Sequence, residues 1–207
     1  MRLKSQTLID FFQQHNGVVR FSSILKAGFH PDMLHDLQQE GKVEKIARGL
    51  YRMSQYPFNS YPDLILASLQ APRGIICLLS ALAFHEATNE IPRFVDIAIP
   101  AGTRVNKITY PPVRFYHFSL KAWELGIEHH QFDRHRIRVY CLAKTLADCF
   151  KFRNKIGTNI ATEALKSAVS EKNINPQEIM AYAKICRVDK IMKPLLELLI
   201  LEKILKT

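Results

Sequence analysis

The sequence predicts an α+β fold: an N-terminal winged helix-turn-helix, then a mixed α+β region with a helical C-terminal end. Three observations predict it. Residues 41–53 hold two alternating runs, Val43–Ile46 and Leu50–Met53, around a turn at Ala47-Arg48-Gly49. Gly49 can take the positive φ of a tight reversal, so the stretch reads as a β-hairpin. Helical patterns come immediately before it, which makes the hairpin the wing of a small helical unit. After it, strand patterns precede helical ones, the order expected of an α+β fold.

The first helix is predicted from a cap at Ser5 to about Asn16, with Leu8, Ile9, Phe11 and Phe12 as its apolar face. Gly17 ends it, and Val18-Val19-Arg20 reads as a short extended link. Ser22 is the N-cap candidate of a brief second helix carrying Ile24 and Leu25, and Gly28 makes the turn. Pro31 suits the first position of a third helix, where its missing N–H would be unpaired anyway. Met33, Leu34 and Leu37 point inward; His35, Asp36, Gln38 and Gln39 point outward. This third helix is therefore the one expected in a major groove, where glutamine can read adenine with two hydrogen bonds. Phosphate contacts are expected from Ser22, Ser23 and Lys26, and from the wing residues Lys42, Lys45, Arg48 and Arg52. Asp32 and Asp36 oppose phosphate on the same helix.

Ser54–Pro62 reads as an interdomain linker, dividing a winged helix-turn-helix domain (1–56) from an α+β domain (57–207). Beyond it the pattern gives a short helix over Asp63–Gln70, and a small strand or helix start at Gly74–Leu78. A helix follows over Ser80–Thr88. Strands are predicted at Phe94–Pro100, Val113–Phe118 and Arg136–Tyr140. The first of these alternates Val95, Ile97 and Ile99 against Asp96 and Ala98. Helices close the chain at Leu142–Phe150, Ile160–Val169, Pro176–Ile185 and Asp189–Leu205.

An apolar content of 47% supplies a core, and the net charge is +10. The basic excess is uneven: residues 100–160 carry eleven Lys/Arg against four Asp/Glu, whereas residues 1–53 carry eight against five. A second surface facing a polyanion or an acidic partner is therefore expected outside the wing. Its candidates are Arg134, Arg136, Arg138, Lys151, Arg153 and Lys155. The three arginines alternate along an extended run and so share one strand face. Lys151 and Lys155 share a helix face if that helix continues past Phe150. Asp133, Asp148 and Glu163 are the carboxylates that could neutralise the row.

Chemistry-bearing motifs are incomplete. His85-Glu86 opens a His-Glu-x-x-His pattern, but position 89 is asparagine. His129, His130 and His135 fall in a charged loop, where adjacent histidines converge poorly on one metal. Asp96 resembles the strand carboxylate of a restriction nuclease, but the following strand has no Glu-x-Lys. No catalytic, cofactor or metal site is expected. Cys77, Cys141, Cys149 and Cys186 lack Cys-x-x-Cys spacing and read as reduced core residues of a cytosolic protein. Lys4, Gln6 and Asp10 interrupt any secretory apolar segment, and Pro194–Leu201 is too short to span a membrane.

Three blocks resemble the AbiEi antitoxins, the regulator half of AbiE-type (type IV) toxin–antitoxin systems. The first is the winged-helix segment with Ala47-Arg-Gly-Leu-Tyr-Arg52. The second is Cys77-Leu-Leu-Ser-Ala-Leu-Ala-Phe-His85, then Ile91-Pro and Phe94-Val-Asp-Ile-Ala-Ile-Pro100. The third is Val139-Tyr-Cys-Leu-Ala-Lys-Thr-Leu-Ala-Asp148, with Arg153-Asn-Lys-Ile-Gly157 and Glu163-Ala-Leu165. The resemblance implies a winged helix that binds double-stranded DNA at inverted repeats in its own promoter. It also implies a C-terminal domain that carries antitoxin function against a nucleotidyltransferase-like toxin encoded nearby. Arg48, Tyr51 and Arg52 match the wing. Lys144, Thr145, Asp148 and Glu163 match the C-terminal signature, where a structural hydrogen-bond network is expected. The alternatives of other classes are a metal-dependent nuclease and a plain winged-helix regulator without a toxin.

Overall fold

The protein is described by a computed structural model over residues 2–56, 61–105, 107–132 and 135–205. The first unit is α1 (Arg2–Gln14), β1 (Val18–Arg20), α2 (Phe21–Lys26), α3 (Pro31–Gln39), β2 (Val43–Ala47) and β3 (Leu50–Met53). α1 begins before Ser5, which lies inside the helix, and it stops at Gln14. Val18–Arg20 is more than a link: it pairs antiparallel with β3, giving a three-stranded sheet in the order β1-β3-β2. α2 starts at Phe21, with Arg20 rather than Ser22 at its N-cap. Pro31 opens α3 as expected, and the His30 imidazole accepts from the Asp32 N–H.

Leu8, Phe12, Val19, Ile24, Leu34, Leu37, Val43 and Tyr51 form this unit's core. Leu34 and Leu37 are buried, Met33 is half-buried, and Leu25 faces solvent. The hairpin turn sits at Arg48-Gly49, with Gly49 at φ +69°. At Gly17 (φ +72°) an added Cβ would come within 2.3 Å of the Tyr56 ring, so only glycine lets that tyrosine close over the sheet.

Of the predicted linker, residues 57–60 lie outside the described residues. α4 (Pro62–Gln70) follows, and Leu66 packs against Val18 and Leu50 of the wing sheet. The Arg20 guanidinium donates to the Leu69 carbonyl across the same seam.

The second sheet contains β4 (Ile75–Ile76), β5 (Val95–Pro100), β6 (Val113–Phe118), β7 (Ile127–Phe132) and β8 (His135–Tyr140). Its order is β6-β5-β4-β8-β7; β5–β6 and β4–β8 run parallel, β4–β5 and β7–β8 antiparallel. One face, with Ile76, Ile97, Ile99, Ile137 and Val139, packs on Ile65 and Ala67 of α4. The other, with Ile75, Ala98, Tyr116, Phe118 and Tyr140, packs on α5 (Leu78–Phe84), α7 (Leu142–Lys151) and the helices behind them. These are α9 (Thr158–Ser170), α10 (Pro176–Cys186) and α11 (Asp189–Leu205). Two short helices, α6 (Leu120–Trp123) and α8 (Arg153–Ile156), were not expected.

Four further expectations are corrected. All six β5 residues are buried, so its alternation does not separate core from solvent: helices cover both faces. α5 begins at Leu78 and ends at Phe84, short of Thr88. His129, His130 and His135 lie on paired strands, not in a loop, with His129 opposite Arg138 and His130 opposite Ile137. α7 ends at Lys151, so Lys155 belongs to α8 rather than to the same helix.

Candidate nucleic-acid interface

α3 is held by Leu34 and Leu37 underneath, which turns His35 and Gln39 outward one helical turn apart. Gln39 Nε2 lies 3.1 Å from His35 Nε2, so the two amphoteric groups orient each other. Gln38 and Asp36 are half-buried at the flank. The helix carries Asp32 and Asp36 and no lysine or arginine. It can present hydrogen-bonding groups to base edges, but it contributes no attraction to phosphate. Ser22 and Lys26 of α2 are exposed and Ser23 is half-buried.

The wing divides its cations into two kinds. Arg52 and Glu44 are directly opposite in the hairpin register, and Arg52 Nε donates to Glu44 Oε1 at 2.8 Å. Lys42 pairs with Glu40 at 2.7 Å. Lys45 and Arg48 are exposed, and among the described residues they have no carboxylate partner. A bulge between Lys45 and Ala47 displaces the strand just before the turn that carries Arg48. Within the wing, the uncompensated charge therefore sits at the tip.

The predicted second basic row is only partly assembled. Arg134 lies outside the described residues. Arg136 is exposed on β8. Arg138 shares its strand face but is tied down: its guanidinium donates to the carbonyls of Pro72 (2.7 Å) and Gly74 (3.1 Å), 5.8 Å from the Trp123 ring. Arg153 donates to the Phe150 carbonyl at 2.8 Å and so caps the end of α7. Lys151 and Lys155 are exposed and come together from two helices, their Nζ atoms 6.0 and 5.7 Å from the Phe152 ring. Two members of the row are thus structural cations, because backbone carbonyls claim their donors.

Of the carboxylates that could neutralise the row, Asp148 makes no ion pair with it and acts on Lys151 only through its charge. Asp148 is wholly buried, with Lys144 Nζ 2.5 Å from its Oδ2 and the Cys186 thiol donating to its Oδ1 at 3.3 Å. Burial raises the Asp148 carboxyl above its ordinary range, and Lys144 opposes that shift. Thr145 Oγ1 donates to the Tyr140 carbonyl at 3.2 Å. Lys144 Nζ also lies 4.3 Å from the Tyr140 ring. Lys144, Thr145 and Asp148 thus form a polar knot inside the helical layer, while Glu163 is exposed on α9 and stands apart from it. Asp133 lies outside the described residues.

Asp96 is buried, and its N–H donates to Ser80 Oγ at 2.9 Å. Burial raises its carboxyl to about 6, against the pull of Arg114 and of the Leu79 and Ser80 N–H groups at the start of α5. It is placed to anchor α5 to the sheet. His85 Nε2 lies 2.8 Å from the Tyr140 carbonyl. Among the described residues no group of three His, Cys, Asp or Glu side chains is placed to hold a metal ion. None of their helices is long and apolar enough to cross a membrane.

Three helices closed by a three-stranded wing define a winged helix-turn-helix, followed here by a mixed α+β region. Residues 6–54 match the model of the transcriptional regulator family of AbiEi antitoxins, which supports a DNA-binding regulatory role. The crystal structure of the RV2827C protein from Mycobacterium tuberculosis superposes with a TM-score of 0.60 at 13% identity, over 94% of this chain and 81% of that one. That likeness is one of fold, and it spans the wing and the α+β region together. No curated protein sequence matches significantly.

Proposed function

We propose that the protein is a repressor that binds inverted repeats in its own promoter and counteracts a nucleotidyltransferase-like toxin encoded nearby. The observation that carries this reading is the match of residues 6–54 to AbiEi antitoxin regulators, on a segment whose wing tip presents Lys45 and Arg48 with no carboxylate partner among the described residues. In this reading His35, Gln38 and Gln39 address base edges. Ser22, Ser23, Lys26, Lys42, Lys45, Arg48 and Arg52 hold phosphate, with Lys45 and Arg48 contributing most. Residues 1–56 are the DNA-binding domain and residues 57–207 the antitoxin domain. Arg136, Lys151 and Lys155 supply the second basic surface, which favours cooperative binding or toxin neutralisation. The test has two arms. Binding of the full chain to its upstream DNA is compared with scrambled DNA. Growth is then followed while the adjacent gene product is expressed with and without this protein. Sequence-selective binding with rescue supports the reading; binding without rescue leaves a plain regulator; the absence of both binding and rescue overturns it.

A further inference from the structure

A cleft away from the wing shares Lys151 with the second basic surface and is otherwise lined by residues outside that reading. It has a volume of about 510 Å³ and lies among α6, the end of α7 and the end of α10. Lys121, Lys151, Lys184 and Arg187 line it, together with Ser119 and a floor that includes Ala122; no Asp or Glu does so among the described residues. None of the four cations has an ion-pair partner among those residues.

The plain explanation is that each lysine offsets the partial negative charge of its own helix end, since Lys121, Lys151 and Lys184 all occupy last turns. That explanation is too small. Each full helix end carries only about half a negative charge, so the ends of α7 and α10 offset about one of the four cations. Arg187, at the C-cap of α10, adds a further cation to an end that already carries Lys184. Arg187 sits at φ 60°, ψ 40°, a left-handed position that glycine takes freely and arginine does not. The Val188 N–H to Ala183 carbonyl bond, at 2.9 Å, fixes that conformation. An arginine therefore occupies a position where the backbone favours glycine, and it lines the same hollow as three lysines.

We propose that this cleft binds the phosphate groups of a small phosphorylated ligand of about nucleotide size. Guanidinium and ammonium groups arriving from separate segments can surround a phosphate, with Arg187 offering the two-pronged contact and Ser119 a hydroxyl donor. The volume falls within the range of small-molecule sites, roughly 300–1,000 Å³. A duplex backbone, being convex, would meet only the rim of such a hollow. The site is independent of the wing, which is built from other elements.

The test uses the full chain at low salt, titrated calorimetrically with ATP, with inorganic phosphate and with a short scrambled duplex. ATP is expected to bind at one site and to raise the melting temperature. Arg187→Gly is expected to raise the melting temperature of the free protein yet weaken ATP at least about tenfold, the loss of one charge-assisted contact. Lys151→Gln with Lys184→Gln should abolish ATP binding, while Lys45→Ala with Arg48→Ala should leave it intact. Three results would overturn the proposal: no binding of ATP or phosphate; unchanged ATP affinity in Arg187→Gly; or loss of duplex affinity alone in the double lysine variant.

Discussion

Two ion pairs in this molecule use the same chemistry in opposite surroundings. Arg52–Glu44 joins the two strands of the wing, with both side chains partly exposed, at 26% and 46%. Lys144–Asp148 spans one turn of α7 with both side chains at 0%. The wing pair is solvated in either state, so forming it changes little. The buried pair has given up water entirely, so each charge depends on the other and on the Tyr140 ring and the Cys186 thiol around it. The comparison teaches that charge in the wing is a resource for binding, whereas charge inside the helical layer is a constraint on folding.

The largest effect is expected at the buried pair. Asp148→Ala leaves an uncompensated ammonium in the core and should cost about 3–5 kcal/mol in chemical denaturation. Lys144→Met combined with Asp148→Leu should recover most of that loss. If the double variant is no better than the single one, the pair contributes more than mutual neutralisation.

Asp96 comes next. Its carboxyl is raised from 3.8 to about 6 in the folded protein, so the folded state binds the proton more tightly than the unfolded chain. Above pH 6 the buried charge therefore opposes folding. That penalty fades as pH falls through 6 and is gone below about 4. Asp96→Asn should stabilise the protein at neutral pH by up to about 3 kcal/mol and flatten this part of the pH profile. A profile that keeps its slope in Asp96→Asn would place the titration elsewhere.

In the wing, Lys45→Ala or Arg48→Ala should weaken binding to promoter and scrambled DNA alike and reduce the salt slope by about one unit each. Gln39→Ala, on the exposed face of α3, should instead lower the promoter-to-scrambled ratio by about 1–3 kcal/mol. Gln38→Ala should do less, because that side chain is half-buried. A wing variant that altered only the ratio would reverse these roles.

The smallest effect belongs to the exposed pair. Glu44→Gln should change stability by less than about 1 kcal/mol and release Arg52. DNA affinity is then expected to rise modestly at low salt, and the gain should vanish at high salt. Loss of affinity in Glu44→Gln would mean that the carboxylate orients Arg52 rather than occupying it.

Local patterns carried much of the fold. The wing was legible because alternation on both sides of Arg48-Gly49 fixes a hairpin without distant partners. Pro31 and the Leu34/Leu37 spacing placed α3 for the same reason. β7 was missed because His129, His130 and Gln131 carry no apolar alternation; its strand character comes from pairing with β8. The structural role of Arg138 is not legible because a strand period shows which side chains share a face, not whether a carbonyl such as that of Pro72 waits to accept from it.

The sequence by itself determined the α+β order, the helix-helix-helix-hairpin succession and the excess of positive charge. Each of these depends on neighbours a few residues apart, through backbone periodicity and turn chemistry. Tertiary structure alone decided which charges are free. It set Arg52 against Glu44, buried Lys144 with Asp148, and gathered Lys121, Lys151, Lys184 and Arg187 around one cleft. Those juxtapositions join residues from different strands and helices, and the cost or use of a charge depends on the water and partners that only the folded chain supplies.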